Sequence, residues 1–542
     1  MKKLAALLAL VLALSVAVVP AFATEIGLEK YAEPLVVRFA RDTDDTLDAN
    51  FFSQYPDKTM TDNLWTDLYR DELNVIVEYD WIVKGGDEYN QKLNIALATG
   101  DIPEFIVLDK PLQVKQLAEA GMILPMDEIY EKYATPFAKE IMEIDGTAPF
   151  DAVTFDGQLW ALPEVSDQLM LADVLWIRVD WLEKVGMEIP TTMDELLAAM
   201  DAFVNADFDG NGVKDTVGLG IAKDLWAGLF GLRGFFNAFG AFPTIWHEDA
   251  EGNLVYGSTT AETRAALAKL AEMYQKGYID PEFGVKDGGK VAEGTTADKC
   301  GIAYGAQWNS IYPLQSSYDL TGADWQAVPF VSATGAPVKA QTEVGTTGWV
   351  VARHDVKNPE VLMKMFNLFM EKNWGETQEN GIYYAPLDCE SIWKLSPVAP
   401  THPYKNLNAF LDLDAARASG DFSNVTGEAY SILKKLEAFE AGSEEGFAMW
   451  GWERIYGPEG AFGVLSEYQK AGLLQHEMFV GAPGEVMTER FTTLETMQDE
   501  VFTKIILGEA PIEDFDKFVE DFYKLGGTEI TAEVNEWYQS VK

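Results

Sequence analysis

The sequence predicts an α/β protein built as two lobes. Strand-like runs such as Val75 to Tyr79 and Phe105 to Leu108 alternate with helical stretches at 88–99 and 113–120, the pattern of helices layered on a sheet. At 542 residues the chain is longer than one hydrophobic core usually organises. Its 48% hydrophobic and 12% aromatic content belongs to a folded chain rather than a disordered one.

Taken in order, the first residues read as an export leader. Lys2 and Lys3 precede an apolar run from Leu4 to Val19, and Ala21-Phe22-Ala23 supplies a small-x-small cleavage site. The run is shorter than the ~20 apolar residues of a membrane anchor, so the expected mature chain begins near Thr24, outside the cytoplasm, in the periplasm or at the cell surface. No cysteine lies near the leader, so no lipid-modified N-terminus is expected. Pro34 to Phe39 (PLVVRF) reads as a buried parallel strand, followed by a polar loop from Ala40 to Asp45. Loops at the carboxyl ends of such strands are where open α/β sheets bind ligands. Gly100-Asp101-Ile102-Pro103 is a sharp stop before the strand at Phe105, and Asp109 and Lys110 close that strand. A helix from Asp127 to Tyr133 and a hairpin at 156–163 complete the first stretch.

The segment from Leu175 to Gly220 is read as strand, short helix, proline turn, amphipathic helix and oxygen-rich loop. Thr192 and Glu195 form a capping box, and Met193, Leu196, Met200 and Phe203 recur at helical spacing. The loop that follows, Asp207-Phe-Asp209-Gly-Asn211-Gly212-Val213-Lys214-Asp215, sets side-chain oxygens at alternate positions around a turn. Calcium takes six to eight oxygens at about 2.3–2.6 Å. Asp207, Asp209, Asn211 and Asp215 would offer side-chain oxygens and Val213 its carbonyl. The bidentate glutamate of a helix–loop–helix hand is missing, because the twelfth position from Asp207 is Gly218. The plain alternative is an Asp/Asn/Gly turn that binds nothing.

Beyond it, Ala261 to Lys276 reads as a helix closed by Gly277, Gly301 to Tyr304 and Val344 to Val351 as strands, and Pro359 to Asn373 as a helix. Chain crossings between lobes are expected at 164–172, 316–326 and 376–384. They would divide the chain into a first lobe of 24–168 with 326–375 and a second of 169–318 with 384–542. The last third is helical, ending in an apolar stripe from Ile512 to Leu525 that Gly526-Gly527 stops.

Forty-one basic against 87 acidic residues give a net charge of −46. Such a surface repels nucleic acid and anionic lipid. Cys300 and Cys389, far apart in sequence, are expected as buried thiols rather than as a disulfide. The chain has no Gly-x-Ser-x-Gly elbow, His-Glu-x-x-His, phosphate loop or dinucleotide fingerprint, and its four histidines lack metal-ligand spacing. With so many acids, any carboxylate pair of glycosidase separation is without meaning. The expectation is a binder, not an enzyme.

Seven segments in order, LNIALATGDIPEF (93–105), GMILPMDEIYEKYA (121–134), DGQLWALPE (156–164), WIRVDWLEKVG (176–186), the DFDGNGVKD loop, FVGAPGEVM (479–487) and DFDKFVEDFYKLGG (514–527), resemble the extracellular solute-binding proteins, family 1, of bacterial ABC importers. The larger members that it looks like bind alginate oligosaccharides and carry a structural calcium loop in the second lobe. The resemblance implies a type II-like periplasmic-binding-protein fold with lobes joined by three crossovers. It also implies a monomer that closes on a ligand, most simply a neutral oligosaccharide, and hands it to an ABC permease. A peptide or other polar metabolite, or a calcium-dependent glycan-degrading enzyme, are the alternatives. Sugar faces stack on aromatic rings while carboxylates, amides and guanidinium groups take the hydroxyls. By likeness to maltose-type binding proteins, Trp308 with Asn309, and Trp450, Trp452 and Arg454 in MWGWER, fall where such platforms stand. Trp226 is a candidate lid, and Arg41, Asp42, Asp109 and Glu164 end strands or crossings that would face the cleft.

Overall fold

In a computed structural model the described residues are 26–43, 47, 51–208, 210–384, 386, 392–442, 446 and 448–542. The leader, Asp209 and Cys389 lie outside them. Among the described residues no helix is long and apolar enough to cross a membrane.

Two sheets carry the two lobes. The first has the order 75–84, 35–43, 105–108, 346–352, 162–165. Its first three strands run parallel, and Thr346–Ala352 inserts antiparallel between Phe105–Leu108 and Leu162–Val165. Val37, Phe39, Val77, Phe105, Ile106 and Val350 bury its faces, and the Glu360–Trp374 helix lays Phe366, Phe369 and Met370 on the same core. The second sheet has the order 325–328, 174–178, 300–305, 217–220. Every side chain of Val174–Arg178 and Cys300–Gly305 is buried, as expected of strands covered on both faces. The capping box at Thr192 forms: Oγ1 accepts the Glu195 N–H at 3.3 Å, and the Glu195 carboxylate accepts the Thr192 N–H at 3.1 Å. The helix it starts, Met193–Asn205, packs Met200 and Phe203 on the second core.

Four sequence expectations are corrected. Ala40 to Thr43 is not a loop: after a bulge at Phe39/Ala40 the strand continues, paired with Trp81 to Lys84. Trp325–Val328 is an edge strand of the second sheet, and Ala340–Thr342 pairs with Leu474–His476 in the second lobe. The second crossing is therefore at 343–345, not 316–326. Asn380–Tyr383 is a helical turn whose Tyr383 carbonyl accepts the Trp65 indole N–H, and Ile392, Leu395 and Val398 enter the first core. The third crossing is therefore at 399–404, and 392–398 belongs to the first lobe. Gly526 at φ 139° bends the last stripe rather than ending it, and Thr528–Val541 continues as a helix. Cys300 is a free buried thiol, which burial pushes up to about 11.

The first crossing passes from Val165 in one sheet to Ala172 in the other core. The three crossings are bonded to one another. The Ser166 N–H donates to Gly345 O at 2.9 Å and the Thr401 N–H to Val165 O at 2.7 Å. The buried Glu164 carboxylate accepts the Ala399 N–H at 2.7 Å, while its carbonyl accepts the hydroxyls of Thr346 and Thr347. Asp167 accepts the Leu169 N–H through Oδ1, and Asp173 accepts the Gly234 N–H. Burial pushes these carboxyls up to about 7, about 7 and about 6, against the pull of those bonds and of Arg41, Lys405 and Arg233.

A raised carboxyl binds its proton more tightly in the folded state. Its stabilising share is whole below the unfolded value near 4 and is lost as pH rises through the folded value. Asp167→Asn keeps an acceptor for Leu169 and removes the buried charge. Relative to the parent it should therefore gain stability with rising pH, by up to about 1.4 kcal/mol per unit between pH 4 and 7. Thermal melts of both proteins at pH 5.5 and pH 8 check this, and a gap that does not widen in the variant's favour contradicts it.

Candidate functional site: the interlobe cleft

The carboxyl ends of the first-lobe strands look toward the second lobe. Trp81 and Asp42 come from paired strands, Tyr89 from the first turns of Asp87–Thr99, and Asp109 from the end of Phe105–Leu108. The rings of Trp81 and Tyr89 lie 5.6 Å apart at 54°. Burial, then the charges of Asp42 and Asp109, holds the Tyr89 hydroxyl well above its ordinary value, so these groups share one surface.

The second lobe meets it with the loop after Val217–Gly220 and with the Glu485–Ile506 helix. Trp226 donates its indole N–H to Asp499 at 2.7 Å and leans on Phe236 and Phe502. Trp308, half-buried, stands against Gly228 of the same loop, where an added Cβ would lie 3.5 Å from its ring. Glu495 lies one helical turn before Asp499, on the same face. Contacts span the gap. Lys110 binds Glu495 at 3.2 Å and Lys223 binds Asp87 at 2.9 Å. The Gln116 amide donates to Thr488 O at 3.3 Å, and the Lys115 ammonium donates to Pro483 O. Burial raises the Glu495 and Asp499 carboxyls, opposed at Glu495 by Lys110 and at Asp499 chiefly by the Trp226 bond.

Of the sequence candidates, Asp42, Asp109 and Trp226 stand at this cleft with Arg41 beside them, Trp308 packs against the loop that carries Trp226, and the others are engaged elsewhere. Arg41 donates to the carbonyls of Lys394 at 2.6 Å and Ser396 at 3.0 Å, strapping that segment to the first sheet. Glu164 is buried among the crossings. Asn309 is buried and donates to Gly228 O at 3.0 Å, so it shapes the Trp308 loop. Trp450 is 1% exposed and stacks on Tyr318 at 4.9 Å, so it is core. Trp452 stacks on Tyr456 and carries the Lys435 ammonium 3.4 Å from its ring centroid. Arg454 is paired with Asp324 at 2.5 Å and Glu453 at 3.2 Å. The likeness placed these three by order along the chain, whereas the Trp450–Tyr456 helix packs inside the second lobe. Trp81, Tyr89, Glu495 and Asp499 were not singled out. The i, i+4 pair of acids at 495 and 499 was visible, but nothing in the sequence says which helix face meets the other lobe.

A second set of oxygens lies away from the cleft. Asp207 accepts the N–H groups of Asn211 at 3.0 Å and Gly212 at 2.9 Å, and Asn211 Oδ1 accepts the Val213 N–H. Gly210 and Gly212 turn the chain at φ 69° and 78°. The Asp215 carboxylate takes the Lys299 ammonium, and that bond holds it below its ordinary value. Among the described residues no three His, Cys, Asp or Glu side chains gather as a metal group. Asp207, Asn211, the Val213 carbonyl and Asp215 are nonetheless oxygen donors of the kind a hard cation takes, and an ammonium already sits on one of them.

Comparison with known proteins agrees with this architecture. The pattern of the bacterial extracellular solute-binding proteins matches residues 54–371. The chain is 24% identical over 470 residues to "Lipoprotein LipO" of Bacillus subtilis (strain 168), covering 84% of this chain and 85% of that one. It is 26% identical over 264 residues to "Fructooligosaccharide ABC transporter substrate-binding protein FusA" of Streptococcus pneumoniae, covering 47% and 48% of the two chains. A solved FusA structure, an EF-hand mutant in complex with fructo-nystose, superposes with TM-score 0.59 at 16% identity over 94% of this chain and 100% of the other. The alginate-binding protein AlgQ2 without calcium ion superposes with TM-score 0.64 at 16% identity, over 95% and 99%. Both likenesses bear on the fold alone, two α/β lobes. With more than half its length matched by the family pattern, the chain belongs to the bacterial extracellular solute-binding proteins.

Proposed function

We propose that this protein captures a neutral oligosaccharide in the interlobe cleft and delivers it, unchanged, to an ABC import permease outside the cytoplasm. One observation carries the reading. Aromatic rings (Trp81, Tyr89, Trp226) stand beside carboxylates (Asp42, Asp109, Glu495, Asp499) on two surfaces that face each other, and the half-buried Trp308 against the Trp226 loop is the further ring we assign to the site. Rings stack on the apolar faces of a sugar, and carboxylates accept its hydroxyls. FusA is named for fructooligosaccharide, in keeping with this chemistry. Ligand touching both surfaces favours the closed form by its differential affinity alone, and the permease reads that form. The protein acts as a binder without catalysis.

The loop at 207–215 is proposed as a structural calcium site held by Asp207, Asp209, Asn211, Val213 and Asp215, with Lys299 yielding Asp215 to the ion. AlgQ2 solved without calcium ion and FusA solved as an EF-hand mutant are in keeping with such a loop.

Three outcomes are expected. In calorimetric titration against fructo-, xylo- and malto-oligosaccharides at least one neutral glycan binds, and mass spectrometry returns it intact; cleavage would make the protein an enzyme. Trp308→Ala weakens that binding about tenfold while the melt stays cooperative; full affinity would remove Trp308 from the site. Chelation of calcium lowers the melting temperature, since a hundredfold excess of ion over Kd is worth about 2.7 kcal/mol; an unchanged melt would leave the loop a plain turn.

A further inference from the structure

The cleft is acidic, and the cations that line it are already held. Asp42 and Asp109 on the first lobe oppose Asp224, Glu495 and Asp499 on the second, and the electrostatic contacts among Lys110, Asp109, Glu495 and Asp499 tie them into one group. Among the described residues here, Arg41 is bound by two backbone carbonyls, Lys115 by Pro483 O, Lys223 by Asp87 and Lys110 by Glu495. A sugar carboxylate entering this space would find each of these cations engaged and would approach the carboxylates of Asp42, Asp109, Asp224 and Asp499. A neutral sugar meets neither penalty, because its hydroxyls donate to those carboxylates.

Resting on the oligosaccharide reading above, we infer that Glu495 is a specificity residue: by holding Lys110 across the cleft it denies that ammonium to acidic sugars, so the protein selects neutral glycans over uronic-acid oligosaccharides. The geometry is specific about Lys110. It stands at the end of a first-lobe strand, beside Asp109, where its ammonium reaches the second-lobe helix at 3.2 Å. Burial alone would lower the Lys110 ammonium, yet Glu495 first, then Asp109 and Asp499, hold it above its ordinary value, and the last two carboxylates stay beside it when Glu495 is replaced. Rejection through a group already paired inside the site is specificity by exclusion rather than by added attraction.

The test reads a ratio. Affinities for oligogalacturonides and for neutral galacto-oligosaccharides of matched length are measured by calorimetry on the parent, Glu495→Gln, Glu495→Gln with Lys110→Ala, and Asp499→Asn, each with its melt recorded. The parent prefers the neutral series. Glu495→Gln shifts the uronate-to-neutral affinity ratio about tenfold toward uronate, and adding Lys110→Ala abolishes the shift. Asp499→Asn, which leaves the Lys110–Glu495 bridge in place, shifts it less. An unchanged ratio in Glu495→Gln, a parent that prefers the uronate, a gain that survives loss of Lys110, or an equal gain in Asp499→Asn overturns the inference. A parent that binds neither series nor any other glycan sinks the oligosaccharide reading itself, and this inference with it.

Discussion

Three passages of chain between the lobes converge on one buried residue. Glu164 lies next to the end of the Leu162–Val165 strand, takes the backbone N–H of Ala399 on its carboxylate, and takes the hydroxyls of Thr346 and Thr347 on its carbonyl. The backbone bonds Ser166 to Gly345 and Thr401 to Val165 extend this into a narrow strip of hydrogen-bonded chain. The lobes have separate cores on either side of it. A strip of this kind bends more cheaply than either packed core deforms, because bending it changes a few backbone angles and leaves the cores intact.

That constraint orders the rest. Each sheet presents its loops toward the other, and the residues at those edges are rings and carboxylates rather than core side chains. The bridges Lys110–Glu495 and Lys223–Asp87 lie on the approach surfaces, away from the strip. They are partly exposed, so each contributes little to stability. The bridges thus lie on the surfaces proposed to hold the ligand, apart from the strip that joins the lobes.

Much of the fold was legible in the residues. Buried β-branched and aromatic runs mark the first half of Leu35–Thr43, to Phe39, and the whole of Phe105–Leu108 and Val174–Arg178, and the Thr192–Glu195 box marks a helix start. Those signals are local. The crossings at 343–345 and 399–404 were not legible, because the strand at Trp325–Val328 reads alike in either lobe and only its long-range pairing with Leu175 to Arg178 decides. The site divided in the same way. Asp42 and Asp109 follow from strand ends, whereas Trp450 and Trp452 show that a tryptophan in a plausible motif still needs its neighbours known. Tyr318 below one ring and Lys435 above the other are contacts that composition does not reveal.

The central claim is that two rigid lobes hinge about the Glu164 strip and close on a ligand. Small-angle X-ray scattering of the protein with and without a saturating bound glycan tests it most directly. The account predicts a smaller radius of gyration and a shorter maximum dimension on binding, with secondary structure unchanged by circular dichroism. Identical scattering curves at demonstrated saturation would contradict it.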